Sequence, residues 1–98
     1  HTKSQYNLAS MHDDAGDFNL SVKWYTEAAK KNHSKSQNNL ALLYEYGFGV
    51  EKNYKQSIIW YLLAIENKGS TKAEENLNTL LIKMNGDSKP VYNKAVKN

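Results

Sequence analysis

Residues 33–64, HSKSQNNLALLYEYGFGVEKNYKQSIIWYLLA, restate residues 1–28, HTKSQYNLASMHDDAGDFNLSVKWYTEA. His1, Ser4, Gln5, Leu8 and Ala9 return 32 positions later as His33, Ser36, Gln37, Leu40 and Ala41. Trp24, Tyr25 and Ala28 return 36 positions later as Trp60, Tyr61 and Ala64. The difference of four residues is one loop insertion. A period near ~35 residues belongs to helical solenoids, in which a unit cannot bury its apolar face alone and stacks on its neighbours. The repeat therefore predicts an all-α chain.

The helices follow from the spacing of residues inside each unit. Ser4, Leu8, Met11 and His12 share one helical face and predict a first helix A over 2–14. Gly16-Asp17 marks a turn, and Phe18, Ser21, Val22, Tyr25, Ala28 and Ala29 continue at helical spacing, predicting a helix B that reaches Lys31. The second unit repeats this with Ser36, Leu40, Leu43 and Tyr44, then Tyr54, Ser57, Ile58, Tyr61, Leu62 and Ile65, joined by a glycine loop over 47–53. Small residues recur too: Ala9 and Ala41 in helices A, Ser21, Ala28, Ser57 and Ala64 in helices B. They let paired helices approach closely beside the large aromatics.

A third unit opens at Ser70, shifted by one residue near Gly69, with Ala73, Leu77, Leu80 and Leu81 at the positions of Ser36, Leu40, Leu43 and Tyr44. A loop over 85–90 precedes Tyr92, Ala95 and Val96, which match the start of the second helix B. The expected organisation is one domain over 1–98, made of repeat 1 (1–32), repeat 2 (33–69) and a partial repeat 3 (70–98). The half-built last helix also predicts an excerpt from a longer array.

Composition narrows the function classes. Apolar residues make up 40 % of the chain and the mean hydropathy is −0.76. No apolar run approaches the ~18 residues that a membrane-spanning helix needs, so no transmembrane segment is expected. Thirteen basic residues against ten acidic ones leave +3. The lysines are interleaved with Asp and Glu, whereas nucleic-acid binding favours clustered cations, so no nucleic-acid partner is expected. The chain has no Cys, which removes disulfides and thiolate metal sites.

The second unit resembles a Sel1-like repeat, a relative of the tetratricopeptide repeat. The resemblance rests on Asn-Leu-Ala at 39–41 followed by Tyr44-Glu45, on Tyr-Gly-x-Gly-Val at 46–50, on Asn53-Tyr54, and on Trp60-Tyr61-x-x-Ala64. In the first unit Ala15-Gly16-Asp17-Phe18 replaces the longer loop and His12 replaces the usual Tyr. The resemblance implies a right-handed α/α superhelix of antiparallel helix pairs, with about five to six helices. It also implies a concave face lined by helices A and used for binding other proteins, with no active site. A disulfide-stapled branch of that family has been linked to β-lactam binding, but its cysteine pairs are missing here.

With helices A lining the groove, the inward candidates are Lys3, Tyr6, Ser10 and Asp13, then Lys35, Asn38, Leu42, Glu45 and Tyr46, then Lys72, Glu75 and Thr79. Lys3, Lys35 and Lys72 form a row suited to a carboxylate-bearing peptide, and Tyr6, Leu42 and Tyr46 offer apolar contact. The competing reading is that these lysines only solvate helix starts. The expected function is thus a non-catalytic protein–protein interaction module that takes a peptide or partner domain. An inhibitor or immunity-type protein that blocks an effector enzyme is the alternative.

No catalytic, cofactor or metal site is expected. His1, His12 and His33 lack a second ligand at metal-binding spacing, and His12 stands where Tyr44 stands in the next unit, as a packed aromatic would. Asp13 and Asp14 are adjacent and do not converge on one face. Gly47-x-Gly49 follows a helix rather than a strand and lacks the lysine of a phosphate loop. Trp24 and Trp60, at equivalent helix-B positions, read as core aromatics rather than a stacking platform.

Overall fold

The computed structural model describes residues 1–68 and 72–85. Five helices follow one another: α1 (Thr2–Asp14), α2 (Phe18–Ala29), α3 (Ser34–Tyr46), α4 (Tyr54–Glu66) and α5 (Lys72–Asn85). The predicted helices A are α1, α3 and α5, and the predicted helices B are α2 and α4. Helix α2 stops two residues short of Lys31, because Asn32 takes a left-handed φ of 63° and turns the chain into α3. The opening of the third unit at Ser70, its register shift at Gly69, and the loop and helix expected beyond residue 85 lie outside the described residues.

Contacts run along the chain as a stack: α1 on α2, α2 on α3, α3 on α4 and α4 on α5, with α3 also touching α5. The extents of 39 × 24 × 18 Å fit growth in one direction. Two apolar clusters hold the stack. Ala9, Tyr25, Ala29, Leu40 and Leu43 join the first unit to α3. Ala41, Tyr61, Ala64, Ile65, Ala73, Leu77 and Leu80 join the second unit to α5. Trp60 packs against both clusters but stays half-buried, and the fully buried aromatics of the two Trp-Tyr pairs are Tyr25 and Tyr61. Burying such a side chain contributes roughly 1.5–3 kcal/mol.

The small residues work as their spacing suggests. Ala9, Ala28, Ala41 and Ala64 are fully buried, as are Ser21 and Ser57. The Ser57 hydroxyl donates to the Ala41 carbonyl at 2.8 Å, so α4 lies almost on the α3 backbone. The Ser21 hydroxyl donates back to the Phe18 carbonyl at 3.0 Å, within its own helix.

The two A–B loops differ in length and in what they touch. Gly47 ends α3 at φ 74°, where its N–H and that of Phe48 both donate to the Leu43 carbonyl, at 2.8 and 3.0 Å. Gly49 has φ 78°, and a Cβ there would lie 2.4 Å from the Phe18 carbonyl oxygen. The second unit's loop therefore presses its backbone onto the start of α2, and only glycine fits both the dihedral and the gap. Gly16, in the short first loop, has φ 80° but open space around it.

One periodicity-based face is not buried as a core face would be. Leu8 is 37 % exposed and Met11 64 %, whereas their equivalents Leu40 and Leu43 are 1 % and 3 % exposed. The α3 face is covered by α2. The matching α1 face has no helix over it among the described residues.

Candidate functional site

The three predicted lysines sit at one repeat position of successive helices A. Lys3, Lys35 and Lys72 lie in the first turns of α1, α3 and α5, and all are exposed. A helix N-terminus carries partial positive charge, so lysines placed there lose rather than gain helix stability. In α1 and α3 no acidic residue of the first turn offsets them; in α5 Glu74 and Glu75 do.

The other candidates divide into residues left open and residues already engaged. Tyr6 is half-buried, its ring 5.9 Å from Tyr25 and 4.9 Å from His33. Ser10 and Leu42 are half-buried, with Leu42 against the second apolar cluster. Glu75 and Thr79 are exposed, and the Thr79 hydroxyl donates to the Glu75 carbonyl at 3.0 Å. Asn38, by contrast, is buried and accepts from the Asn76 amide at 3.0 Å, tying α3 to α5.

Glu45 departs furthest from an inward-facing groove position. It is 2 % exposed, accepts from the Tyr61 hydroxyl at 2.7 Å, and pairs with the Lys83 ammonium at 2.8 Å. Asp13, 32 positions earlier, lies likewise against the Tyr25 hydroxyl. Glu45 thus accepts from the tyrosine of its own unit's helix B, whereas the Tyr25 hydroxyl beside Asp13 accepts from the Asn39 amide at 3.2 Å. Burial raises the Asp13 pKa above the ordinary carboxylate value, and neighbouring Asp14 adds to this. Burial also pushes Tyr25 up to about 12, with Asp13 adding to the rise. Lys83 is raised by its hydrogen bond to Glu45. A helical face read from spacing takes in both acids, because one residue in a helix sits only ~100° from the next and borders two faces.

Of a second, aromatic surface the helical spacing predicts only Tyr46. Phe48, carried out by the glycine loop, stacks on Phe18 at 4.8 Å and near Tyr46 at 5.9 Å. Lys83 stands over the Tyr46 ring at 4.9 Å, and Lys52 over Tyr54 at 4.9 Å. Tyr46 and Phe48 are exposed, so this aromatic edge lies open beside the helix-A face. For Phe48 the one sequence signal is an aromatic between two glycines.

Among the described residues no group of three His, Asp or Glu side chains converges as a metal site would. No described helix is long and apolar enough to cross a membrane. His12 is half-buried with Nδ1 3.9 Å from Asp17, at the end of α1. These features define a short all-α solenoid that presents helix faces and loop aromatics.

Comparison with known proteins places the chain within that class. The Sel1 repeat family matches residues 2–33 and 34–68, and the chain belongs to that family. A search of curated proteins finds no significant match. Among solved structures, the crystal structure of a Sel1 repeat protein from Oxalobacter formigenes superposes with a TM-score of 0.79 at 29 % identity. The match covers 93 % of this chain and 38 % of that one. The chain thus spans well under half the length of that relative. Sel1 repeat proteins are generally protein-interaction modules, and the family is generally non-catalytic.

Proposed function

We propose that this chain binds a carboxylate-bearing peptide or partner segment along its helix-A face, held by Lys3, Lys35 and Lys72. The supporting observation is the placement of three exposed lysines in three successive helix-A first turns, where the helix dipole opposes them. Lysines that recur at every unit, without an offsetting first-turn acid in α1 and α3, support a ligand of opposite charge. Tyr6, Ser10, Leu42, Tyr46 and Glu75 flank the row, while Asn38 and Glu45 act from beneath as structural ties. An array longer than these units belongs to the same reading, since the Leu8–Met11 face of α1 matches a face that α2 covers in the next unit. An inhibitor role would use the same face against a folded enzyme.

Titration with labelled peptides ending in clustered carboxylates tests the reading. Binding should weaken with added salt and fall at least about tenfold, or ~1.4 kcal/mol, in Lys35→Glu/Lys72→Glu. Unchanged affinity in a variant that melts like the parent chain rejects the lysine row.

A further inference from the structure

We propose that His33 makes the seam between the two repeat units proton-sensitive, because its neutral ring caps α3 and protonation withdraws that cap. His33 occupies the N-cap position of α3, with extended backbone at φ −80° and ψ 105°. Its Nδ1 accepts from the Ser36 N–H at 3.3 Å and lies 2.7 Å from the Ser36 hydroxyl. An Nδ1 that accepts from an amide carries no proton, so the ring is the Nε2–H tautomer. Added acid places a proton on Nδ1. The ring can then still donate to the Ser36 hydroxyl, but the Ser36 N–H loses its acceptor inside a residue with no exposed surface.

Burial and the α3 charges oppose the cation, and the contacts from the other packed elements bring no carboxylate to it. From α1, the Tyr6 ring lies 4.9 Å from the imidazole. From the end of α2, the Ala28 carbonyl accepts the His33 N–H at 3.3 Å, fixing the backbone rather than the ring. From α3 come the Lys35 charge and the positive end of the helix. Among the described residues no carboxylate pairs with His33. Burial, then Lys35, hold the ring below its ordinary value of 6.5. A His with a lowered folded pKa binds fewer protons folded than unfolded. Its stability contribution is present above the unfolded value and is lost as pH falls below it.

The seam is where this matters. Ser34, Ser36 and Gln37 are buried there, and the Gln37 amide donates to the Ala29 carbonyl at 3.1 Å while its oxygen accepts from Asn67 at 2.7 Å. The start of α3 thus ties α2 to the end of α4. His1, the repeat equivalent at the start of α1, makes no side-chain cap bond. Of the two equivalent histidines, the one at the junction of the two units carries the cap.

The test compares the parent chain with His33→Asn, whose side chain caps without titrating. Urea midpoints measured from pH 7.5 to pH 5 should fall for the parent and fall less for His33→Asn. In proton NMR the His33 ring should titrate below the same ring in the urea-unfolded chain. Equal falls in the two proteins, or a ring titrating at or above its unfolded value, overturn the proposal. The NMR titration needs only the parent chain, so it decides even where His33→Asn fails to fold.

Discussion

Helix α1 and helix α3 are spelled alike, yet one is a surface and the other a core. Leu8 and Met11 stand in solvent at the positions where Leu40 and Leu43 are enclosed by α2. The two acids of this pair of units differ through residue type instead, since α3 follows the first unit as α5 follows the second. Glu45 meets Tyr61 and also Lys83 from α5, whereas Asp13 lies beside Tyr25 and next to the like-charged Asp14. In a solenoid, what a residue does depends on whether a neighbouring helix covers it and on which side chains that helix supplies, because each interface is built from two units.

If burial rather than residue type sets the energetics, equivalent substitutions must cost unequal amounts. Leu40→Ala should destabilise by about 2–5 kcal/mol, and Leu8→Ala by less than about 1 kcal/mol, in chemical denaturation. Equal costs would mean that the Leu8 face is covered in solution. The loops give a second pair. Gly49→Ala combines a positive φ with contact against the Phe18 carbonyl and should cost about 2–3 kcal/mol, while Gly16→Ala carries the dihedral penalty alone, about 1 kcal/mol. A Gly49→Ala melting curve no worse than that of Gly16→Ala would show that the second loop does not lean on α2.

The smallest effect is expected at Asp13. Its folded pKa is raised, so the folded state binds its proton more readily than the unfolded state, and that stabilising term is lost as pH rises through the folded pKa. Asp13→Asn should therefore leave the melting temperature nearly unchanged at pH 3 and raise it slightly at pH 7. A lower melting temperature at pH 7 would mean that the ionised acid helps to hold Tyr25.

Much of the architecture was legible in the residues. The predicted first helix A matches α1, and Gly16 and the 47–53 loop separate the helices as their composition suggests. Local signals carry these features, since turns and helix starts depend on neighbours within a few positions. The candidate surface was less legible. Asn38 and Glu45 belong to the right helix, but their partners Asn76, Tyr61 and Lys83 lie 16 to 38 residues away. Spacing within one helix says nothing of such partners. The stack of Phe18 on Phe48 is hidden from the spacing for the same reason, as it crosses from one unit to the next.

The repeat at 1–28 and 33–64, with which this chain announces itself, was enough to specify helices, their pairing and the kind of fold, because each depends on periodicity and on short-range chemistry. It could not say which copy of a repeated residue is interior. That followed from stacking: α2 closes over Leu40 and Leu43, α5 brings Lys83 to Glu45, and the seam turns one of two equivalent histidines into a cap. Burial and hydrogen bonding between units are set by neighbours in space, and two identical letters acquire different roles when only one of them has such a neighbour.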